Sequence, residues 1–335
     1  VSENKAPILA RWWNTLDNLS SNKPTKQVNE AFSELFTDAV RIRIPTDQLP
    51  AVSLSAGLDS SAVFGATSLV FQRENSKIPI QAYTLSLPGS ELDESSTAEN
   101  TAHNFGGNLS RITMKNPDFA ATVRSATWHQ ESLAWSPSLL AFHHYYKGLS
   151  ENGVRVILEG HGSDEFMAGY PSFVREEIFR KIKCLKFRQA TILFNQFSQM
   201  SNPLLGESSN SQKYFPLSQM VRPFIGNSLI AHFPKRNSNH IFESNHKVFK
   251  IDLIRSTEEI PGYKSRLVGI KGDLDKAVHY SMLPQILRVF DRASMAHSVE
   301  SRAPFMDYRL IQFIFSLSEA QLYQGLGQKP FVRVG

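Results

Sequence analysis

The chain has 335 residues, 41% of them apolar and 20% charged, which is an ordinary balance for a globular protein of one large domain or two smaller ones. Its net charge of +5 suits a polyanionic ligand, but at this length it gives no reason to expect nucleic-acid binding. No apolar run approaches the roughly 18 residues of a membrane span, so we expect no membrane partner.

The chain contains one cysteine, Cys184, which excludes an intrachain disulfide and a cysteine-rich metal site. This cysteine usage favours a reducing compartment, and we expect a cytoplasmic protein. Because an unpaired cysteine usually behaves as a small apolar residue, we expect its side chain to be buried.

The first half of the chain alternates between strand and helix patterns. Short apolar runs and apolar residues at helical spacing predict strands at 51–54, 80–87, 109–114 and 154–158 and helices at 28–40, 60–71 and 139–149. Such alternation is typical of an α/β fold with a mostly parallel, doubly wound sheet that has helices on both faces. Ligands of these sheets bind at the carboxyl ends of the strands.

The pattern changes after Tyr170, where the chain becomes helical in character. A strong helical period extends from Asp273 to Met295. We therefore divide the chain into a lead-in at 1–26 and a domain at 27–335, with its core at 27–170 and its helical part at 171–335.

The first candidate site follows the first predicted strand, in the segment LSAGLDSS at 54–61. Its turn and the start of the next helix can present the backbone N–H groups of 55–58, which form a cradle for phosphates. The serine hydroxyls add donors, and Asp59 can hold the Mg²⁺ that accompanies a nucleoside triphosphate. The segment is not a Walker motif, because no Gly-Lys-Ser or Gly-Lys-Thr follows. The alternative is a strand, a turn and a helix in which Asp59 and Ser60 are ordinary caps.

The second candidate site is LEGHGSDEFMAGY at 158–170, again directly after an apolar strand. Gly160 and Gly162 permit a turn and the close approach of a ligand. Asp164 supplies a second carboxylate, and one Mg²⁺ between Asp59 and Asp164 would bridge phosphate oxygens. The alternative for Asp164 is a loop cap.

The third segment, DRASMAHSVESRAPFMDYRL at 291–310, combines a predicted helix from Asp291 to about His297 with a turn forced by Pro304. Most of its charged residues are expected to form ion pairs that join a helix to the sheet. Glu300 is the one that we place in the site.

The three segments together resemble the synthetase domain of glutamine-hydrolysing asparagine synthetases, whose relatives include the β-lactam synthetases and the lasso-peptide cyclases. The shared patterns, in this order, are S-x-G-L-D-S-S, G-x-G-S-D-E-x-x-x-G-Y and D-R-x-S-M-A-x-S-x-E-x-R-x-P-F-x-D. The segment LDES at 92–95 is also similar to the Y-D-E-S segment of that family. The resemblance implies an adenine nucleotide alpha hydrolase-like fold, of the ATP-pyrophosphatase type, in an ATP-dependent ligase.

The resemblance also implies the cofactors, ATP and Mg²⁺, and the residues that bind them. The nucleotide-binding residues are Leu54, Ser55, Gly57, Asp59, Ser60, Ser61, Leu85, Ser86, Gly160 and Gly162. The metal ligands are Asp59 and Asp164, and the catalytic residues are Lys329 and Glu300. We add His161 as a third catalytic residue from its place in the second motif, although the family has other residues there. The ammonium group of Lys329 would stabilise the negative charge that builds up on oxygens in both half-reactions.

Two residues differ from the family pattern. Ala56 stands where the family usually has glycine, and the turn tolerates this change if the φ angle there is negative. His161 stands where asparagine synthetases have glutamate and β-lactam synthetases have tyrosine. A neutral His161 can act as a base toward an amine, but it is a poor replacement for a carboxylate that holds ammonium. The alternative is that this position has drifted without consequence.

Three hypotheses follow. The first is adenylation of a carboxylate, with the aspartate β-carboxylate as first guess, followed by transfer to ammonia from glutamine. It requires a glutaminase domain or subunit, and 1–26 is then a lead-in from a preceding glutaminase domain. The second is a peptide macrolactam (lasso-peptide) cyclase or another amide synthetase that takes a peptide carboxylate. The third is a non-catalytic nucleotide-binding scaffold, against which the pair Asp59 and Asp164 argues.

Overall fold

The computed structural model describes residues 15–19, 28–46, 51–75, 78–114, 119–132, 137–200 and 266–325. In chain order, its helices and strands are α1 (Val28–Arg41), β1 (Ala51–Ser53), α2 (Leu58–Arg73), β2 (Gln81–Ser86), α3 (Ser95–Asn104), β3 (Asn108–Thr113), α4 (Phe119–Gln130), α5 (Pro137–Glu151), β4 (Val156–Leu158), α6 (Ser163–Phe166), α7 (Pro171–Lys183), α8 (Phe187–Met200), α9 (Ile270–His279), α10 (Met282–Met295), β5 (Glu300–Arg302), α11 (Tyr308–Ser316) and α12 (Glu319–Gly325). Short 3₁₀ turns cover Thr15–Asn18 and Pro304–Met306. None of the described helices is both long enough and apolar enough to cross a membrane.

The strands form one sheet in the order β3-β2-β1-β4-β5, and every neighbouring pair is parallel. The chain therefore moves outward from β1 to β3 and then returns to place β4 on the other side of β1. Strand order reverses between β1 and β4, so this is the topological switch point at which doubly wound sheets bind ligands. The α/β fold with a parallel sheet that the sequence predicts is confirmed.

The central strands are held by apolar burial. All three residues of β4 are buried, as expected for a strand that is covered on both faces. Ala51 of β1 and Ile157 of β4 belong to one buried cluster with Tyr145, Tyr146 and Leu149 of α5. The amphipathic helix predicted at 28–40 is α1. The ring of Phe36 in α1 stacks on the ring of Phe305, with centroids 4.4 Å apart.

Two charged residues of the third motif, Asp307 and Arg309, belong to an ion-pair network. Asp307, at its centre, is buried. Arg309 donates from Nε and Nη2 to the two carboxylate oxygens of Asp307, each at 2.9 Å, and Arg43 contacts the same carboxylate at 2.9 Å. Arg309 also contacts Asp38 of α1 at 2.7 Å. Burial raises the pKa of Asp307, but the hydrogen bonds from Arg309 and Arg43 outweigh burial and lower that pKa to about 2. The network joins α11 to α1.

The second half of the chain differs from its expected boundaries in two places. The helical period at 273–295 is divided into α9 and α10 at Tyr280–Ser281. Pro284 explains this division, because its ring excludes the carbonyl of Tyr280 from a continuous helix but is tolerated in the first turn of α10. Strand β5 lies in the part that we expected to be helical. The sequence does not predict this strand, because its three residues have polar side chains and give no strand pattern of their own.

By its internal contacts the chain divides into two compact units, Val1–Phe173 with Asp273–Gly335, and Val174–Gly272. In the second unit Glu177 is fully buried, and its carboxylate forms an ion pair with the ammonium group of Lys181 at 2.9 Å. The expectation that Cys184 is buried is wrong: α7 ends at Lys183, and the thiol lies exposed in the turn that follows.

Candidate active site

Hydroxyl groups hold the Ser55–Ser61 loop, which comprises the turn after β1 and the first turn of α2. The Ser60 hydroxyl accepts the N–H of Ser55 at 3.1 Å and lies 2.9 Å from the Ser55 hydroxyl, which in turn accepts the N–H of Gly57 at 3.0 Å. The Ser61 hydroxyl donates to the carbonyl of Gly57 at 2.9 Å. A phosphate that binds the N–H groups of Ser55 and Gly57 must therefore replace bonds that the loop makes to itself.

The N–H of Ala56 shows that this loop accepts an anionic oxygen. It donates to the carboxylate of Glu94 at 3.0 Å, on the exposed side of the loop. Ala56 is not among the described non-glycine residues with positive φ, so the condition under which alanine replaces the family glycine without strain is met. Leu54, just before the loop, is buried, and its N–H donates to the carbonyl of Tyr83 in β2 at 2.8 Å.

The end of β2 carries the residues expected near adenine. Ser86 is buried and donates to Asp93 at 3.0 Å, and Asp93 accepts the N–H of Ser95 at 2.9 Å. These hydrogen bonds, with that from Ser95 the largest cause, lower the pKa of Asp93. The side chain of Leu85 packs against the buried core. Asp93 thus joins the carboxyl end of β2 to the start of α3. The described hydrogen bond of the Ser86 hydroxyl goes to Asp93 and not to the Ser55–Ser61 loop.

Gly160 brings the second motif against the first. A Cβ atom at Gly160 would stand 2.8 Å from both the carbonyl carbon of Asp59 and the backbone nitrogen of Ser60. Cβ atoms do not approach backbone so closely, so glycine is the residue that lets these two loops meet at the switch point. Gly162 has a φ of +97°, and a Cβ there would lie 2.0 Å from Cε of Met306. Both glycines are required by geometry.

Asp164 lies in the first turn of α6, four residues long, directly after Gly162. The nearby hydroxyl of Tyr170 donates to Glu165 at 2.6 Å. The pKa of Tyr170 is raised, first by burial, then by Glu165, and further by the charges of Asp164 and Asp59. Both carboxylates that were predicted to hold Mg²⁺ therefore lie within electrostatic range of one hydroxyl.

Two carboxylates suit a hard cation such as Mg²⁺, which prefers oxygen ligands and usually keeps water or substrate phosphates in its shell. Within the described ranges no group of three or more His, Cys, Asp and Glu side chains is arranged to hold a metal ion. An ion held by Asp59 and Asp164 would complete its shell with phosphate oxygens or water, as Mg²⁺ commonly does.

His161 and Glu159 lie next to each other in the structure. The sequence predicted a role for His161 but not for Glu159. His161 Nε2 lies 3.5 Å from Oε2 of Glu159, and the imidazole lies on the ring of Phe290 with centroids 3.8 Å apart. Burial raises the pKa of Glu159, but the neighbouring His161 and two hydroxyl donors outweigh burial, so that pKa is lowered. The sequence signal for Glu159 was a carboxylate directly after an apolar strand and two residues before a histidine.

Glu300 is placed differently from the other predicted residues. It is the first residue of β5, aligned with Val156, and therefore lies at the amino end of the strand, whereas the two loops lie at carboxyl ends. Its side chain is exposed and accepts from Arg302 at 2.8 Å. The described contacts do not bring Glu300 to either loop, and its neighbour Ser301 contacts Glu159 instead. Lys329 lies outside the described residues.

Comparison with known proteins decides the family. The model of the asparagine synthase family matches residues 31–334. The chain belongs to the asparagine synthase family. Its members are ATP-dependent ligases that form amides, and the chain is therefore related to enzymes that use ATP.

Relatives of the chain have other names than asparagine synthetase. The chain is 25% identical over 314 residues to amidase chry2 of Gibberella zeae, covering 86% of this chain and 46% of the relative. It is 23% identical over 327 residues to amidase chyE of Penicillium rubens, covering 89% and 47%. The chain thus spans about half the length of these relatives. Among solved structures, the U34-tRNA thiolase NcsA of Methanococcus maripaludis matches at 13% identity, 81% coverage of both chains and a TM-score of 0.28.

Proposed function

We propose that this asparagine synthase family member activates a carboxylate with ATP and transfers the acyl group to a nitrogen nucleophile, which gives an amide, AMP and pyrophosphate. The observation that carries this proposal is the contact of Gly160 with the backbone of Asp59 and Ser60. It brings together the two motifs to which we assign ligand binding, at the switch point of a parallel sheet, where doubly wound folds bind nucleotides.

In the first step a carboxylate oxygen of the acceptor attacks the α-phosphorus of ATP. The bond from that phosphorus to the bridging oxygen breaks, and pyrophosphate leaves. The Ser55–Ser61 loop binds the phosphates through its hydroxyl and N–H groups, with the N–H of Ala56 already able to hold an anionic oxygen. Bound Mg²⁺, held by Asp59 and Asp164, would neutralise charge on the leaving pyrophosphate.

In the second step the nitrogen nucleophile attacks the acyl carbon, AMP leaves, and a base takes a proton from the nitrogen. His161 is the candidate base, because it follows Gly160 directly and neutral imidazole is suited to proton transfer near neutral pH. Lys329 remains the candidate for stabilising negative charge in both steps.

We propose two alternatives for the substrate whose carboxylate is activated, and each implies a different kind of amide synthetase. Aspartate, with ammonia supplied from glutamine by a glutaminase domain or subunit, follows from the family. A peptide macrolactam cyclase or another amide synthetase, which would take a peptide carboxylate, is favoured by His161, because this residue stands where asparagine synthetases have glutamate. The scaffold hypothesis predicts ATP binding without turnover.

ATP–pyrophosphate exchange, screened over free aspartate and peptide carboxylates, tests the proposal. We expect exchange with one class of acceptor, and loss of that exchange in Asp59→Asn. Glu74→Gln is a matched control, because Glu74 lies at the other end of α2 and is exposed. ATP binding without exchange for any acceptor would favour the scaffold, and exchange that survives Asp59→Asn would contradict the assigned site.

A further inference from the structure

The carboxylate of Glu159 is fully buried. The hydroxyl of Tyr146 lies 2.9 Å and 2.8 Å from its two oxygens, and the hydroxyl of Ser301 donates to Oε2. Burying an ionised carboxylate is costly unless partners compensate for the lost water. These two hydroxyls compensate in part, and His161 Nε2 lies 3.5 Å from the same carboxylate, where a ring N–H would add a third donor.

The imidazole of His161 is fixed from two sides. The ring lies on Phe290, and Phe290 in turn packs edge-to-face on Phe142 with centroids 4.5 Å apart. Nε2 is buried and faces Glu159, although the whole side chain keeps 23% of its surface exposed. The exposed surface therefore belongs to atoms of the side chain other than Nε2.

A buried carboxylate beside one nitrogen of a histidine selects its tautomer. The neutral ring carries one proton, and a carboxylate favours having that proton on the nitrogen that faces it. The other nitrogen then keeps its lone pair and can act as a base, as in the arrangements where a third group orients a catalytic histidine. At 3.5 Å from Glu159, Nε2 makes no hydrogen bond in this structure, so the proposed bond requires the shortening that catalytic hydrogen bonds often show when substrate binds.

We propose that Glu159 is a positioning residue, which holds the proton of His161 on Nε2 and leaves Nδ1 as the base that takes the proton of the nitrogen nucleophile. The role of the base rests on the proposed function, whereas the tautomer does not. A merely structural Glu159 would instead join α5 to β5 through Tyr146 and Ser301, without effect on His161.

The first test measures the tautomer directly. In ¹⁵N-histidine NMR spectra of the wild-type chain, with His161→Ala used for assignment, we expect the pattern of a ring protonated at Nε2. Glu159→Gln, which keeps the shape of the side chain, should add the tautomer protonated at Nδ1. A wild-type ring protonated at Nδ1, or a tautomer unchanged in Glu159→Gln, would overturn the proposal. This test requires neither ATP nor an acceptor.

The second test separates the two half-reactions, with the acceptor found by the exchange screen and ammonium chloride as nitrogen source. Glu159→Gln should lower amide formation about 10- to 100-fold while pyrophosphate exchange stays within about twofold. Tyr146→Phe is the matched control, because it removes another hydrogen bond to the same carboxylate, and the ratio of the two rates should stay at the wild-type value. An equal fall of both rates in Glu159→Gln indicates a structural role and contradicts the proposal. Absence of exchange in the wild-type chain contradicts the proposed function instead. The NMR result alone then tests whether Glu159 sets the tautomer of His161.

Discussion

Gly160 lies against the backbone of Asp59, so closely that a Cβ atom at position 160 would stand 2.8 Å from the carbonyl carbon of Asp59. The two residues come from different strands, because Asp59 follows β1 and Gly160 follows β4. These strands are neighbours in the sheet, with Val52 paired to Leu158. The register thus delivers two distant parts of the sequence to one edge, where a shared ligand can bind both.

This contact predicts the effect of Gly160→Ala. The added methyl group meets backbone, which cannot rotate away as a side chain can, so the two loops must separate. We expect a loss of about 1–3 kcal/mol in the free energy of unfolding. ATP affinity should fall at least about tenfold, since small misplacements of binding groups are costly. Thermal unfolding and calorimetric titration with ATP measure the two effects.

Gly153→Ala is the control for that change. Gly153 has a φ of +78° and no atom within 4 Å of its added Cβ, and it lies before β4, away from the two loops. It should lose about 1 kcal/mol of stability from left-handed strain and keep its ATP affinity. Equal loss of ATP affinity in both variants would mean that general destabilisation, and not the contact, governs binding.

The network around Asp307 predicts an acid-dependent loss of stability. The folded pKa of about 2 lies below the ordinary value of 3.8, so the unfolded chain binds the proton more readily. The stabilisation is complete above pH of roughly 4 and is lost as the pH falls toward about 2, with a magnitude of about 2 kcal/mol. Urea unfolding of wild type and Asp307→Asn as a function of pH measures this difference.

The matched control for Asp307 is Glu99→Gln. Glu99 pairs with Arg111 at 2.6 Å, but both side chains are exposed. Exposed pairs contribute little, so we expect a change below about 1 kcal/mol at every pH. If Asp307→Asn behaved like Glu99→Gln, the buried network would not stabilise the contact between α1 and α11.

A histidine cluster predicts a second dependence on pH, nearer neutrality. The rings of His143 and His297 have centroids 4.4 Å apart, and those of His143 and His129 5.7 Å. Burial, then the charges of His297 and His129, lower the pKa of His143 from 6.5 to about 4. Because the folded pKa is the lower one, stability is complete above pH of about 6.5 and falls as the pH drops toward 4.

His143→Gln should flatten that slope, which amounts to about 3 kcal/mol over the whole window. His103→Gln is the comparison, since His103 lies exposed on α3. Chemical unfolding between pH 4 and 7 measures the slope in each variant. A slope in His143→Gln equal to that of wild type would show that protonation of this buried ring does not destabilise the fold.

The sequence predicts the parts of this fold that depend on local pattern. β1 and β4 are apolar runs, and α1 shows the spacing of a half-buried helix, so their positions follow from burial alone. β5 could not be predicted in this way, because Glu300, Ser301 and Arg302 become a strand only by pairing with β4. Its existence depends on a contact between residues far apart in the sequence.

The same limit applies to the candidate site. Asp59 and Asp164 could be named from sequence because each directly follows a strand and a glycine-containing turn, a pattern that carries its own chemistry. Glu159 also directly follows an apolar strand, but its relation to His161 could not be predicted, because it depends on burial beneath Tyr146 of α5. Glu300 was chosen from its motif, whereas strand register places it at the amino end of β5.

The central claim is that one magnesium-bound triphosphate bridges both loops, and calorimetric titration of ATP with Mg²⁺ tests it most directly. We predict that Asp59→Asn and Asp164→Asn each weaken Mg²⁺-dependent ATP binding at least about tenfold. The double variant should be no weaker than the weaker single one, because both carboxylates serve one ion. Single variants that bind ATP as tightly as wild type, or effects that simply add in the double variant, would contradict the shared site.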